Sequence, residues 1–192
     1  HFGELERGKW NAPNDESIYE VGSVTKTMTG YLVAKAVKEK KISLSEDIRT
    51  YMEGSYPNLV LNDQPIIIQH LVTHTSGMPL FLPEELNEVF ATLDSNVPQK
   101  YIESEKKYSK AQFLADLRNL KLSVEPGTQY AYSNAGAELM GYILETVYQK
   151  SIDELLQEAF LEEYQMQNTG IVLSEQQEEK LVKGYWMENN TL

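Results

Sequence analysis

Cysteine is absent from all 192 residues, which rules out disulfides, thiol catalysis and cysteine-based metal sites. Histidine is nearly as scarce, with only His1, His70 and His74. The His70-x-x-x-His74 spacing could make half a metal site on a helix, yet no acidic third ligand stands in a recognisable motif. Both are expected to be structural, and no metal or cofactor is expected. Lys and Arg number 17 against 29 Asp and Glu, a formal net charge of −12. No basic cluster is interleaved with aromatic residues, so no nucleic-acid partner and little attraction to anionic membranes are expected. No apolar run approaches the roughly 20 residues that cross a bilayer, and no signal peptide or lipidation motif is visible. The first residue is not methionine, which is compatible with an export signal already removed.

What is present suits one domain with a proper core, or most of a larger one: 41% hydrophobic and 24% charged residues. The stretch Tyr19-Glu20-Val21-Gly22-Ser23-Val24-Thr25-Lys26-Thr27-Met28-Thr29-Gly30 stands out. A short β-prone run passes through Gly22 into a helix-forming segment reaching about Lys40. Ser23 then sits at a helix N-terminus, where free N–H groups and the dipole favour developing negative charge. Lys26, three residues on, shares its face. That arrangement suits a serine nucleophile whose proton passes to the lysine or to a group the lysine polarises. By itself the motif is weak, because Ser104-Glu105-Lys106-Lys107 repeats its letters in a polar run.

Elsewhere, residues 1–10 alternate loosely and predict an edge strand or half a hairpin, and Ser43-x-x-Glu46 predicts a capping box opening a short helix through Tyr51. Residues 53–65 read as a loop. A brief helix is expected from Ile66 to His74, with Gly77 and Pro79 beyond it. The stretch 80–108 is the least regular, with one helix at Glu84–Leu93 and then a polar excursion. Ser109-x-x-Gln112 opens a helix with Phe113, Leu114, Leu117 and Leu120 on one face. Another helix runs from about Ala135 to Tyr148, and Ser151-x-x-Glu154 caps the next. The tail from Gln167 predicts no clear terminal element.

Tyr132-Ser133-Asn134 lies at a turn entering a helix, after Pro126-Gly127. A tyrosine beside a cationic lysine can accept a proton, and an asparagine offers donors and an acceptor to a lysine or a substrate amide. This motif too is weak alone, since Tyr56-Pro57-Asn58 repeats it. In order, however, the chain carries Val21 to Gly30, Lys41-Ile42-Ser43-Leu44-Ser45-Glu46-Asp47, His70-Leu71-Val72-Thr73-His74-Thr75-Ser76-Gly77-Met78-Pro79, Glu125-Pro126-Gly127-Thr128 and Tyr132-Ser133-Asn134. This closely resembles the serine β-lactamase-like family, which includes class C β-lactamases, D-alanyl-D-alanine carboxypeptidases and related esterases, from about residue 2 to about residue 185.

The resemblance implies an α+β β-lactamase/transpeptidase-like fold, present here as a single 1–192 domain: the helix-rich part plus the first strands of an antiparallel sheet. It implies a cofactor-free serine hydrolase acting through an acyl-enzyme. Ser23 would be acylated, Lys26 would shuttle its proton, Tyr132 would be the general base, and Asn134 would orient Lys26 and the substrate. The Ser23 backbone N–H would serve the oxyanion hole, one such donor being worth about 2.7–4 kcal/mol. The substrate would be a β-lactam, a D-Ala peptide or an ester, and the protein would be exported, to the periplasm, the cell surface or the medium. The His74-Thr75-Ser76-Gly77 block would buttress the fold.

One departure is plain. The family's third motif, Lys-Thr-Gly or His-x-Gly on a late strand, has no match after Asn134, where Val182-Lys183-Gly184-Tyr185 comes nearest; His1-Phe2-Gly3 matches only in letters. The expectation is a chain apparently truncated at its C-terminus, hydrolysing poorly alone and open to self-association or to completion by a C-terminal segment. The alternative is an inactive member that binds cell-wall peptides or a protein partner, and a metal-dependent hydrolase using His70 and His74 is a more distant third.

Overall fold

The computed structural model describes residues 2–92 and 94–186. Two helices form its centre, α1 (Thr25–Lys38) and α6 (Asn134–Tyr148), packed against each other. α6 buries Ala135, Gly136, Leu139, Met140, Ile143 and Leu144, a 3.6-residue stripe. α1 contributes Leu32, Val33 and Ala36. Around this pair lie β1 (Val60–Leu61) and β2 (Gln64–Pro65), then α2 (Ile68–Val72), α3 (Glu85–Thr92), α4 (Val97–Glu105) and α5 (Lys110–Asn119). After α6 come α7 (Ile152–Leu156), which runs into a π-helical turn, and α8 (Glu175–Glu178). The main core joins α1, α2, α5, α6 and α7 through residues such as Leu71, Phe113, Leu117 and Leu155.

Local chemistry sets the helix ends. The hydroxyl of Ser133 accepts from Gly136 N at 2.8 Å and starts α6. Ser109/Gln112 and Ser151/Glu154 form the expected capping boxes. α1 stops in a Schellman turn: Lys40 N donates to Val37 O at 3.0 Å and Lys41 N to Ala36 O at 2.9 Å, with Lys40 at φ +58°.

Several expectations are corrected. Residues 2–10 form turns rather than an edge strand, held by Leu5 N on Asn11 O and Lys183 N on Leu5 O; glycines at positive φ (Gly3, Gly8) fold the segment back on itself. The Ser43/Glu46 capping box does not form. Ser43 Oγ bonds Ser45 Oγ, and Asp47 instead caps the short turn Ile48–Tyr51 by accepting from Arg49 N at 2.9 Å. The loop 53–65 holds the hairpin β1–β2, whose central Asn62 and Asp63 both have positive φ, the type I′ requirement. The polar excursion holds α4, and Ser174/Gln177 caps α8 in the tail. Among the described residues the β-prone run Tyr19–Val21 forms no strand; the residue before it, Ile18, makes a parallel bridge with Leu181. Residues 187–192, the end of the tail reading, and His1 of the His1-Phe2-Gly3 match lie outside the described residues.

Candidate active site

Gly22, at φ +51°, turns the chain into a 3-10 turn, Gly22–Val24, that leads straight into α1. Few residues other than glycine adopt that angle cheaply. Ser23 is thereby exposed at the head of α1, with Lys26 one turn along; Lys26 Nζ donates to Ser23 Oγ at 3.2 Å.

Tyr132 and Asn134 arrive from more than a hundred residues away. The Tyr132 hydroxyl donates to Ser23 Oγ at 2.7 Å, and Lys26 Nζ donates to Asn134 Oδ1 at 2.7 Å. Lys26 Nζ also lies 5.0 Å from the centre of the Tyr132 ring. All four residues singled out from the sequence therefore converge on one spot.

The segment 74–80 holds this spot in place. Ala131 N donates to His74 O at 2.8 Å, Asn134 N to Leu80 O at 2.8 Å, and Ser133 N to His74 Nδ1 at 3.2 Å. The buried Ser133 hydroxyl donates to Pro79 O at 2.6 Å. The His74 ring stacks on Tyr132 with centroids 4.4 Å apart. Gly77 makes the close approach possible: at φ +74°, a Cβ there would lie 2.6 Å from Val124 O. The buttressing expected of this block is thus a clamp on residues 131–134.

Electrostatics favour proton transfer here. Burial pushes the Tyr132 hydroxyl up, but its bonds to Lys26 and Ser23 and the Lys26 charge outweigh this, and its pKa falls below the ordinary 10.0. Burial, and then the same charge, push His74 below 6.5, consistent with a neutral ring accepting from Ser133 N at Nδ1. Burial does the same to His70, whose Nδ1 accepts from Ile67 N at 3.4 Å. Both histidines thus serve the backbone. Among the described residues no three His, Asp or Glu side chains are grouped to hold a metal ion.

The look-alike motifs separate clearly. Tyr56 is buried, and Asn58 Nδ2 donates to Leu117 O and Leu120 O at 2.8 and 2.9 Å, so that pair ties α5 to the core. Ser104 lies in the last turn of α4, where no N-terminal donors are available.

An open cleft of ≈ 470 Å³ begins at Ser23, Lys26 and Asn134. Phe81, Phe90 and Tyr101 line its far side, with Glu105 and Glu138. Sequence reasoning overlooked these. Glu138 was findable, because it stands four residues after Asn134 on the same helix face. The aromatic group was not, since it joins a loop and two helices that share no pattern.

The ordered motifs, the fold and this convergence of side chains all point to one family, and the comparisons agree on that family. The family model described as Beta-lactamase matches residues 1–192, and the chain belongs to that family. It is 26% identical over its whole length to the D-alanyl-D-alanine-carboxypeptidase/endopeptidase AmpH of Escherichia coli, covering 47% of that protein. It is 23% identical over 98% of its length to a β-lactamase of Providencia stuartii, covering 43%. Among solved structures, a β-lactamase/D-alanine carboxypeptidase from Yersinia pestis superimposes with a TM-score of 0.79 at 25% identity, over 95% of this chain and 48% of that one. An octameric penicillin-binding protein homologue from Pyrococcus abyssi gives 0.73 at 25% identity, over 98% and 41%. The chain thus spans less than half the length of these relatives, and its helix-rich architecture with a short antiparallel hairpin is part of their fold.

Proposed function

We propose that the protein is an acyl-transferring serine hydrolase in which Ser23 is the nucleophile. Ser23 Oγ attacks a carbonyl carbon, and its proton passes to the Tyr132 oxygen 2.7 Å away, which Lys26 keeps receptive. The tetrahedral intermediate collapses, Tyr132 returns the proton to the departing group, and the acyl group remains as an ester on Ser23. Water, losing a proton to the same tyrosine, then releases the acid. Asn134 holds Lys26 through the 2.7 Å bond and leaves its amide N–H groups for the substrate. The acyl bond is that of a β-lactam, a D-Ala peptide or an ester, the first two being named in the relatives above.

The observation that carries this reading is the convergence of Lys26 and Tyr132 on one exposed serine oxygen, an arrangement that a binding surface does not need. Intact-mass spectrometry after incubation with a fluorescent penicillin and, separately, a fluorophosphonate tests it. One adduct on the wild type and none on Ser23→Ala is expected. No adduct with either reagent, or an adduct that survives the substitution, would overturn the proposal.

A further inference from the structure

The cleft that leads away from Ser23 has two chemically different ends. At the near end Lys26 supplies positive charge, which Ser23 and Asn134 receive. At the far end the rings of Phe81 and Phe90 stack with centroids 4.5 Å apart, and Tyr101 meets Phe90 edge-on at 5.6 Å. Beside them lie two carboxylates, Glu138 half-buried on α6 and Glu105 exposed at the end of α4. Glu138 accepts from the Tyr142 hydroxyl at 2.6 Å, and among the described residues no lysine or arginine forms an ion pair with Glu105 or Glu138. Burial raises the carboxyl pKa of Glu138 against the Tyr142 bond, and Glu105 raises it further. A cation entering the cleft would relieve that cost, and aromatic faces would complement it.

We propose that this cleft receives the acyl part of the substrate and selects acyl groups that carry a cation, an ammonium or a quaternary nitrogen, about one helical turn beyond Asn134. The reading rests on Ser23 being the nucleophile. The spacing comes from α6 itself. Asn134 touches Lys26, and Glu138 lies one turn further along, a step of roughly 5–6 Å between Cβ atoms. An acyl chain of four or five carbons covers that one-turn step. The charges at the two ends favour one orientation, with the carbonyl toward Lys26 and the cation toward Glu138.

The test uses two nitrophenyl esters of equal shape, one of a trimethylammonio-pentanoic acid and the other its analogue with carbon replacing nitrogen. Formation of the Ser23 acyl-enzyme in the full chain is followed by intact mass. The ammonium ester is expected to acylate Ser23 about tenfold faster, the scale of a well-placed charge at a partly exposed site. The ratio should fall toward one in the Glu105→Gln/Glu138→Gln double variant. It should fall part of the way in Glu105→Gln alone, an exposed change that spares the fold. Glu103→Gln, on the same helix and bonded to Gln99, should leave the ratio unchanged. Equal rates in the wild type, or a preference that survives in the double variant, would overturn the inference while Ser23 acylation still stood. Failure of both esters to acylate Ser23 would instead sink the nucleophile assignment, and this inference with it.

Discussion

The two walls of the cleft are built differently. One wall is α1, α6 and the clamp 74–80, and its residues belong to the main core through Leu32, Met78, Leu139 and Met140. The other is α3 and α4, whose buried Leu86 and Val97 lie outside that core and which lean on the stack of Phe81, Phe90 and Tyr101. The residues that converge on Ser23 all stand on the first wall, and the second contributes surface to the cleft. Positions that must hold to a few tenths of an ångström sit where packing is dense. A wall that chooses among acyl groups can tolerate looser attachment.

Three tests bear on that contrast, the largest effect first. Gly77→Ala places a Cβ 2.6 Å from Val124 O in a backbone region that L-residues rarely adopt. It should cost at least about 3 kcal/mol or prevent folding, as read by urea denaturation. A loss under about 1 kcal/mol would show that the clamp yields easily.

Next comes a matched pair. Leu139→Ala in the core wall should lower global stability by about 2–5 kcal/mol, whereas Phe90→Ala in the outer wall should lower it by about 1–2 kcal/mol, because the site is half-buried and a satellite can collapse. Phe90→Ala should nonetheless change the ratio of acylation rates between small and bulky esters more than Leu139→Ala does. Equal unfolding costs would erase the distinction between the walls.

The smallest expected effect is on pH. In the proposed mechanism Tyr132 must be deprotonated to accept the serine proton, so acylation should rise with pH through its pKa, which lies below 10.0. Lys26→Met removes the bond and the charge that lower that pKa, so the rise should move to higher pH, with a slower plateau. A rise that stays in place, measured with a neutral ester, would mean that Lys26 does not tune Tyr132.

The same division explains what the sequence made legible. Stripes such as Phe113 and Leu117, and Ser-x-x-Gln/Glu caps at Ser109 and Ser151, pointed to α5 and α7 because these elements answer to local rules. α4 escaped notice because its residues are mostly polar and its place depends on Val97 and the aromatic stack. The hairpin escaped because Asn62-Asp63 carries its positive φ without a glycine. At the site, local spacing alone indicated the Ser23–Lys26 pair. That Tyr132 would reach Ser23 across 109 residues depends on the clamp, and only the resemblance anticipated it.

The parallel bridge at Ile18 has a mechanical meaning. Ile18 N donates to Lys180 O at 2.9 Å, and Val182 N to Ile18 O at 2.8 Å. Two parallel segments pulled from opposite ends slide along each other, so tension on the flanking chain loads this pair in shear rather than peeling it open. Everything from Tyr19 to Lys180, Ser23 included, lies inside the loop that the pair closes. A stretch applied from outside is borne by the outer bond of Lys183 N to Leu5 O at 3.0 Å and by these two before it reaches the helices.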